Sequence, residues 1–270
     1  MESLPVIRPG AAADADAAHE IENLVWAPFH YEGDEVIEWD YDTALWVVAE
    51  DTRQIIATAD GCLVDWDGDP RNLPPSWMEV LRRSSTADPA GRWASALGTS
   101  ILPEHRGGGL GARMLVGLKD QATQRGMRGM LAPARPSARH SWPQMTLADY
   151  AALRLDDGRH ADPWIRAHEA IGGHIIGWCE RSLEVHAAHE VWERWAGYRL
   201  PSEGRCLFPR SIGWLELSGG QGCLTEDSIW ILHPIDPDLV ELLSRTRPDE
   251  IEERRSLLSP AEPQPSGSAI

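Results

Sequence analysis

The sequence lacks several features that would assign it to a membrane, secreted or metal-scaffolded class. No run approaches the ~20 consecutive apolar residues that a membrane-spanning helix requires. The N-terminal segment, MESLPVIRPG, has no basic part followed by an apolar stretch, so no secretory signal is predicted and a cytoplasmic location is expected. The cysteines show no CxxC spacing, which favours buried thiols over a disulfide framework or a zinc site. No cluster of His, Cys and Asp has metal-ligand spacing, so no metal is predicted. The cysteines are Cys62, Cys179, Cys206 and Cys223.

Positive charge is also scarce. The chain has 25 Lys and Arg against 42 Asp and Glu, a formal net charge of −17. Such a field repels nucleic acid and acidic surfaces, so neither nucleic acid nor a membrane is an expected partner. It favours a neutral or cationic small molecule, although the simpler interpretation is that the charge only keeps the protein soluble. The content of hydrophobic residues, 42%, is ordinary for a globular protein.

Helix and strand patterns alternate along the chain and predict an α/β fold with a mixed, twisted central sheet flanked by helices. We expect one domain over residues 1–234, with an irregular insertion at about 134–161, a helical extension at 235–258 and a disordered tail at 259–270. Strands are predicted at 4–8, 44–48, 54–64, 93–102, 127–132, 174–185, 212–217 and 228–232. Helices are predicted at 12–29, 77–83, 110–125, 146–154, 162–172 and 188–196, and in 236–259 with a break at Arg247-Pro248.

One glycine-rich turn, RGGGLG at residues 106–111, lies between a predicted strand and a predicted helix. Its glycines allow successive backbone N–H groups to point into one hollow. The start of the following helix adds unpaired N–H groups and the positive end of its dipole. The unit therefore predicts a cradle for a pyrophosphate, with the charge of Arg106 at its rim.

Three other interpretations of this turn were compared. No GxxxxGK[ST] pattern is present, which excludes a P-loop. The dinucleotide pattern GxGxxG is disfavoured, because Ala112 stands where its third glycine would be and no acidic residue follows a second strand about 20 residues on. An ordinary surface turn rich in glycine would be favoured if the cluster stood alone.

The flanking residues change that balance. The segment ILPEHRGGGLGARML resembles the acetyl-CoA-binding motif of the GNAT superfamily, in which a strand ends in V-x-P-x-x-R and G-x-G-x-G opens a helix. The resemblance covers about residues 1–185, and extends more loosely to Leu232. It implies an acyl-CoA-dependent acyltransferase with acetyl-CoA or another acyl-CoA as co-substrate. The matching positions are Ile101, Pro103, Arg106, Gly107, Gly109 and Gly111.

The same resemblance implies the residues that hold the coenzyme. The backbone around Ile101 and Leu102 is expected to bond the thioester and pantetheine, and one amide there to act as an oxyanion donor. The pyrophosphate is expected at the amides of Gly107, Gly108, Gly109, Leu110, Gly111 and Ala112.

A second match lies downstream. The segment HEAIGG, residues 168–173, resembles the Y-x-x-L-G-F that ends a helix in many GNAT enzymes. His168 takes the place of the tyrosine that often protonates the leaving thiolate, and Gly173 replaces the aromatic residue. Spacing alone equally supports a hydrogen-bonded core histidine. The segment DPWIRAH…GG also resembles a subgroup of larger bacterial GNAT domains, some linked to natural-product or carrier-protein chemistry.

The strand before the turn offers no side chain that is competent as a general base. Ser100 is a candidate for holding a water that relays the proton, against the alternative of ordinary strand polarity. Glu104, before the turn, is expected to face solvent. Acceptor-binding candidates are more weakly indicated, since they fit an ordinary solvated loop equally well: Arg135, Arg139, His140, Trp142, Tyr150 and, near the N-terminus, Asp40, Tyr41 and Asp42.

These residues favour transfer of an acetyl or other short acyl group to an amine of a small-molecule acceptor by direct attack on the thioester. Two alternatives remain: acyl transfer to a carrier-protein thiol, with or without decarboxylation of malonyl-CoA, and a non-catalytic acyl-CoA-binding module. The negative charge disfavours an acidic carrier protein. A homodimer is left open.

Overall fold

The structure is a computed structural model, and it describes residues 4–30, 45–52, 54–84 and 92–259. Nine strands in these residues form one sheet. They are β1 (Val6–Pro9), β2 (Leu45–Asp51), β3 (Gln54–Leu63), β4 (Trp93–Ile101), β5 (Gly129–Ala134), β6 (His174–Ala188), β7 (Gly204–Leu207), β8 (Trp214–Ser218) and β9 (Gln221–Pro234). Their order is β1-β2-β3-β4-β5-β9-β8-β7, and β6 pairs with the other side of β9. Only β4 and β5 are parallel, so the predicted mixed sheet is confirmed.

Helices cover both faces of this sheet. Strand β2 shows why: Trp46 and Val48 pack with Ala18 on one side, while Val47 faces Gly117 on the other. A strand buried on both faces is continuously apolar, as ALWVV is. The helices are α1 (Ala15–Val25), α2 (Trp77–Ser84), α3 (Leu110–Gln124), α4 (Leu147–Ala151), α5 (Pro163–Ala170), α6 (His189–Ala196), α7 (Pro237–Ser244) and α8 (Ile251–Leu258). No helix among the described residues has both the length and the apolar character to cross a bilayer.

Several elements differ from the predicted bounds by a few residues, and three differences have a clear physical reason or were missed entirely. Helix α1 ends at Val25 rather than near residue 29, because Pro28 has no amide to donate to Leu24, four residues back. Strand β9 spans Gln221–Pro234 rather than 228–232. Its first half alternates between buried and partly exposed residues, and only the second half is the continuous apolar run that the pattern detects. Strand β7, four residues long and mostly exposed, was not predicted.

The C-terminal extension packs onto the sheet as two helices, α7 against β9 and α8 against β6, separated around the predicted break at Arg247-Pro248. Arg254 of α8 is 1% exposed and donates to the backbone oxygens of Ile175 and Arg247 and to the hydroxyl of Thr246. The extension is therefore fastened to the sheet through a buried guanidinium. The tail predicted to be disordered lies outside the described residues from position 260 onward.

Candidate functional site

The glycine-rich turn joins β4 to α3 and leaves its backbone open. Gly107 and Gly109 have φ values of +90° and +78°, which glycine adopts without strain. A Cβ atom added at Gly107, Gly108 or Gly109 would meet nothing within 4 Å. The outer side of the turn is thus free to receive a ligand.

The amides of this turn lack protein acceptors. The first helical hydrogen bond of α3 runs from the amide of Arg113 to the oxygen of Gly109, at 3.2 Å. None of the described residues accepts a hydrogen bond from the backbone amides of residues 107–112. Successive free N–H groups at the positive end of a helix dipole form a binding site for an anion such as a pyrophosphate.

Two side chains define the edges of this cradle. The Nε atom of Arg106 donates to the oxygen of Ile101 at 3.0 Å, which holds the guanidinium at the rim. Trp164 of α5 packs against the first turn of α3, where a Cβ at Gly111 would lie 2.9 Å from its ring. Gly111 therefore serves the close approach of two helices, whereas Gly107 and Gly109 serve the curl of the turn.

Strands β4 and β5 separate beside the turn. They pair only over Trp93–Ser95 and Gly129–Leu131, so β4 has an open edge beyond Ser95 in the described structure. The amide of Leu102 donates to Ile56 on the opposite side, at 3.0 Å. Because hydrogen bonding alternates along an antiparallel strand, the backbone groups of Thr99 and Ile101 point to the open edge. The structure thus directs Ile101, and not the amide of Leu102, into the space between the strands.

An irregularity in β4 re-aims its backbone at the same edge. Asp60 of β3 lies opposite Gly98 and Gly61 lies opposite Ala96, which leaves Leu97 as the extra residue of a β-bulge. Bulges turn a side chain or an amide out of the regular ladder. Here the bulge lies where β4 has just left β5.

A carboxyl group covers this bulge. A Cβ at Gly98 would lie 2.7 Å from Oδ1 of Asp60, so only glycine leaves room for the carboxylate. Burial raises the pKa of Asp60 to about 6. Glu22 of α1 is its electrostatic neighbour: burial, and then the charge of Asp60, raise the pKa of Glu22 to about 7. Two carboxyl groups that ionise near neutral pH mark this position as a candidate for proton transfer.

Sequence reasoning missed both carboxyl groups. A signal for Asp60 was present, because a lone aspartate in the apolar strand QIIATADGCLV must be buried or functional. Glu22 gave none, since acidic residues on exposed helix faces are common and the helix AHEIENLV has several polar positions.

Ser100, the predicted water relay, is 1% exposed and accepts a hydrogen bond from the indole Nε1 of Trp26, at 2.8 Å. The guanidinium of Arg135 stacks on the same indole ring, with its Cζ 5.8 Å from the ring centroid. Trp26 therefore covers the hydroxyl of Ser100, and its indole connects Ser100 on β4 to Arg135, the residue that follows β5.

His168, the predicted acid, is 1% exposed and has a partner that the sequence did not reveal. Its Nδ1 lies 2.8 Å from Nε2 of His233 on β9, and Trp164 contacts its ring edge-on, with centroids 4.8 Å apart. Burial lowers the pKa of His168 to about 3 and lowers that of His233 well below its usual range. Both rings are therefore neutral at physiological pH.

The insertion residues are mostly committed to internal contacts. Arg135 makes two hydrogen bonds to Glu226, at 2.6 and 2.8 Å. Burial raises the pKa of Glu226, but hydrogen bonds from Arg135 and His30 outweigh it and lower the pKa to about 2. Arg139 donates to backbone oxygens at Trp142 and Met145.

The remaining candidates divide by exposure. The hydroxyl of Tyr150 donates to Asp162, the N-cap of α5, at 2.7 Å. His140, Trp142 and Glu104 are exposed. The residues 40–42 lie outside the described part of the chain.

Comparisons with known proteins relate this chain to acetyltransferases. Residues 15–145 match the model of the acetyltransferase (GNAT) family. The arginine N-acetyltransferase avaD of Aspergillus versicolor is 27% identical over 163 residues, 52% of this chain and 56% of that protein, so the match spans little more than half of the relative.

Two solved structures match most of the chain. The loading GNATL domain of CurA from Lyngbya majuscula has a TM-score of 0.55 at 16% identity, over 86% of this chain and 98% of that domain. The GNAT-like decarboxylase GphF, in complex with isobutyryl-CoA, has a TM-score of 0.52 at 17% identity, over 85% and 98%. At these identities the matches establish a shared fold.

Proposed function

We propose that this chain, whose residues 15–145 match the model of the acetyltransferase (GNAT) family, transfers an acetyl or other short acyl group from acyl-CoA to an amine of a small-molecule acceptor. The observation that carries the proposal is the carboxyl group of Asp60 at the β4 bulge, beside the gap between β4 and β5. It supplies a proton acceptor where the open edge of β4 can hold a thioester.

The coenzyme half of the site follows from the free backbone groups. The pyrophosphate binds the amides of residues 107–112, with Arg106 at its rim. The pantetheine pairs with the exposed backbone of Thr99 and Ile101, as an added strand would. This edge leads the thioester from the turn towards the bulge at Leu97, where an amide serves as oxyanion donor.

The acceptor enters from the side of Asp60 and Glu22. Ionised Asp60 removes a proton from the acceptor ammonium, and the free amine attacks the thioester carbonyl. A tetrahedral intermediate forms and collapses, breaking the carbon–sulfur bond and releasing the thiolate of coenzyme A. Holding the two reactants side by side supplies much of the rate by itself.

The proton that the attacking nitrogen loses as the amide forms passes through water to the thiolate, and neutral His168 assists the departure of the thiolate by donating a hydrogen bond from Nε2. If His233 donates its Nε2–H to Nδ1 of His168, neutral His168 must carry its own proton on Nε2. That nitrogen is buried and has no partner among the described residues. The histidine pair thus holds a neutral N–H donor, in the way that a tyrosine hydroxyl would.

The acceptor is a cationic amine of low molecular weight. The paired carboxyl groups and the net charge of −17 attract an ammonium or guanidinium group. The relative avaD is described as an arginine N-acetyltransferase, which is consistent with this class. The test is release of free thiol from acetyl-CoA across a panel of amines, amino acids and polyamines. Turnover confined to uncharged acceptors would contradict this choice.

Transfer to a carrier-protein thiol is the second candidate. It is supported by the shared fold of the loading domain and the decarboxylase over 85–86% of this chain. Loss of carbon dioxide from malonyl-CoA without an amine would favour it. A non-catalytic module is the third candidate; it was favoured only by the lack of a base on the strand before the turn, and the proposed base Asp60 on β3 weighs against it. Coenzyme binding without turnover on any acceptor would restore it.

A further inference from the structure

A second cluster of reactive side chains lies far along the sheet, on β6 and β9. Glu184 and His186 are two residues apart on β6 and therefore share one face. Cys223 of β9 pairs directly with His186 in the register. The neighbouring residues Val185 and Leu224 point the other way, into a hydrophobic core. The cluster is thus on the outer, solvent-facing side of the sheet.

The three side chains converge. The Sγ atom of Cys223 is 3.7 Å from Nε2 of His186, and that nitrogen is 3.6 Å from Oε2 of Glu184. All three ligand atoms lie within 4.8 Å of one another. A tetrahedral zinc ion with Zn–S near 2.3 Å and Zn–N and Zn–O near 2.0–2.1 Å separates sulfur from nitrogen by about 3.6 Å and nitrogen from oxygen by about 3.4 Å. The observed separations, 3.7 and 3.6 Å, already match these values, and the sulfur–oxygen separation, at most 4.8 Å, closes by rotation of the exposed Glu184 side chain.

We propose that Glu184, His186 and Cys223 bind one first-row divalent transition-metal ion, with Zn²⁺ as the best match. Thiolate and imidazole ligands select such ions over Mg²⁺ or Ca²⁺, which prefer oxygen. Binding removes the thiol proton of Cys223 to solvent. The strands hold the ligands at fixed spacing, so the ion costs little ordering of the backbone.

A candidate for the fourth ligand lies on the neighbouring strand β8. Glu216 of β8 is paired with Cys223 on the side opposite His186 and faces the same way. Both carboxylates are bound by arginines without the ion: Arg181 donates twice to Glu184, at 2.9 Å each, and Arg205 lies 3.6 Å from Glu216. The ion must compete with Arg181 for Glu184, which predicts that Arg181 weakens binding. Water or Glu216 completes the tetrahedron.

The cluster was invisible to sequence spacing. His186 and Cys223 are 37 positions apart and become neighbours only through the pairing of β6 with β9. The predicted absence of metal rested on short-range spacing alone, and such spacing does not report ligands on paired strands.

The test is titration of the chelator-treated, reduced protein with Co²⁺, followed by displacement with Zn²⁺. We expect about one equivalent per chain and an absorption band from thiolate-to-cobalt charge transfer. Cys223→Ser is expected to abolish that band and weaken binding by roughly tenfold or more. Cys206→Ser is the matched control, since Cys206 is a half-buried free thiol on β7 outside the cluster.

Arg181→Ala provides a second measurement, because it frees Glu184 without removing a ligand. Tighter binding in this variant supports the site. A charge-transfer band that survives Cys223→Ser, or the lack of saturable binding in both the parent and Arg181→Ala, overturns the proposal. Acyltransferase turnover is a separate measurement, because the proposed metal site does not include residues of the glycine turn.

Discussion

Burial controls the ionisation of the residues assigned to proton transfer. The carboxyl groups of Asp60 and Glu22 and the imidazoles of His168 and His233 are all shifted towards their neutral forms. Burial thus brings the pKa values of Asp60 and Glu22 close to neutral pH. It also keeps His168 and His233 as neutral N–H donors.

Asp60→Asn tests the proposed base. It is expected to lower kcat/KM by about 10²–10⁴-fold, the usual contribution of a general base. In the parent enzyme, activity should rise with pH as the carboxyl groups of pKa about 6 and about 7 ionise, and this rising limb should disappear in the variant. The measurement is kcat/KM against pH with a fixed amine. A limb unchanged in Asp60→Asn would assign the base elsewhere.

Glu22→Gln separates catalysis from folding. The pKa of Glu22 is raised from 4.5 to about 7 in the folded state, so the folded protein holds this proton more tightly than the unfolded chain does. Folding stability therefore falls as the pH rises from about 4.5 to about 7. The glutamine variant should therefore be at least as stable as the parent at pH 8, while its activity falls. Thermal unfolding at pH 5 and pH 8 measures this, with Glu20→Gln, exposed on the same helix, as control.

His168→Gln keeps an N–H donor, whereas His168→Leu removes it. We expect the leucine variant to lose kcat with little change in the KM for acyl-CoA, and the glutamine variant to recover part of the rate. Reactions of acyl donors with a better leaving thiol should be less sensitive to loss of His168, because stabilising the departing thiolate then matters less. Equal rates in both variants would remove His168 from the reaction.

At the scale of elements, the unit of β4, the glycine turn and α3 combines two kinds of glycine. Gly107 and Gly109 provide positive φ, and Gly111 provides the contact between α3 and α5. The sequence motif shows all of these as equivalent glycines, and only the packed helices distinguish them.

Gly111→Ala is expected to push Trp164 away and to lower the melting temperature by several degrees, because its Cβ would lie 2.9 Å from the ring. Gly108→Ala, with open space at its Cβ, should leave the melting temperature unchanged. Differential scanning calorimetry of both variants without ligand makes the comparison. Equal stability would mean that α5 yields readily.

At the scale of the whole molecule, the C-terminal extension is a structural part of the sheet through Arg254. Arg254→Met leaves the oxygens of Ile175 and Arg247 without donors and is expected to cost about 2–4 kcal/mol of unfolding free energy. Chemical denaturation measures this, with Arg245→Met on the exposed end of α7 as control.

The cytoplasmic location and the homodimer stay predictions.

The sequence by itself determined most of the elements and the glycine-rich motif. Both depend on residues that are neighbours in the chain: the period of apolar residues and the glycines of the turn before α3. A turn of six residues carries its chemistry in its own backbone, so ILPEHRGGGLG predicts an anion cradle before any tertiary contact is known.

Only the tertiary structure brought together the residues that we propose for the acceptor half and for the metal site. Asp60 meets Glu22 across the packing of α1 on β3, His168 meets His233 across 65 positions, and Cys223 meets His186 through strand pairing. Such pairs are set by register and by helix docking, which depend on the whole core rather than on local spacing. Burial by that core also sets the pKa values, so residue type alone could not indicate which carboxyl group ionises near neutral pH.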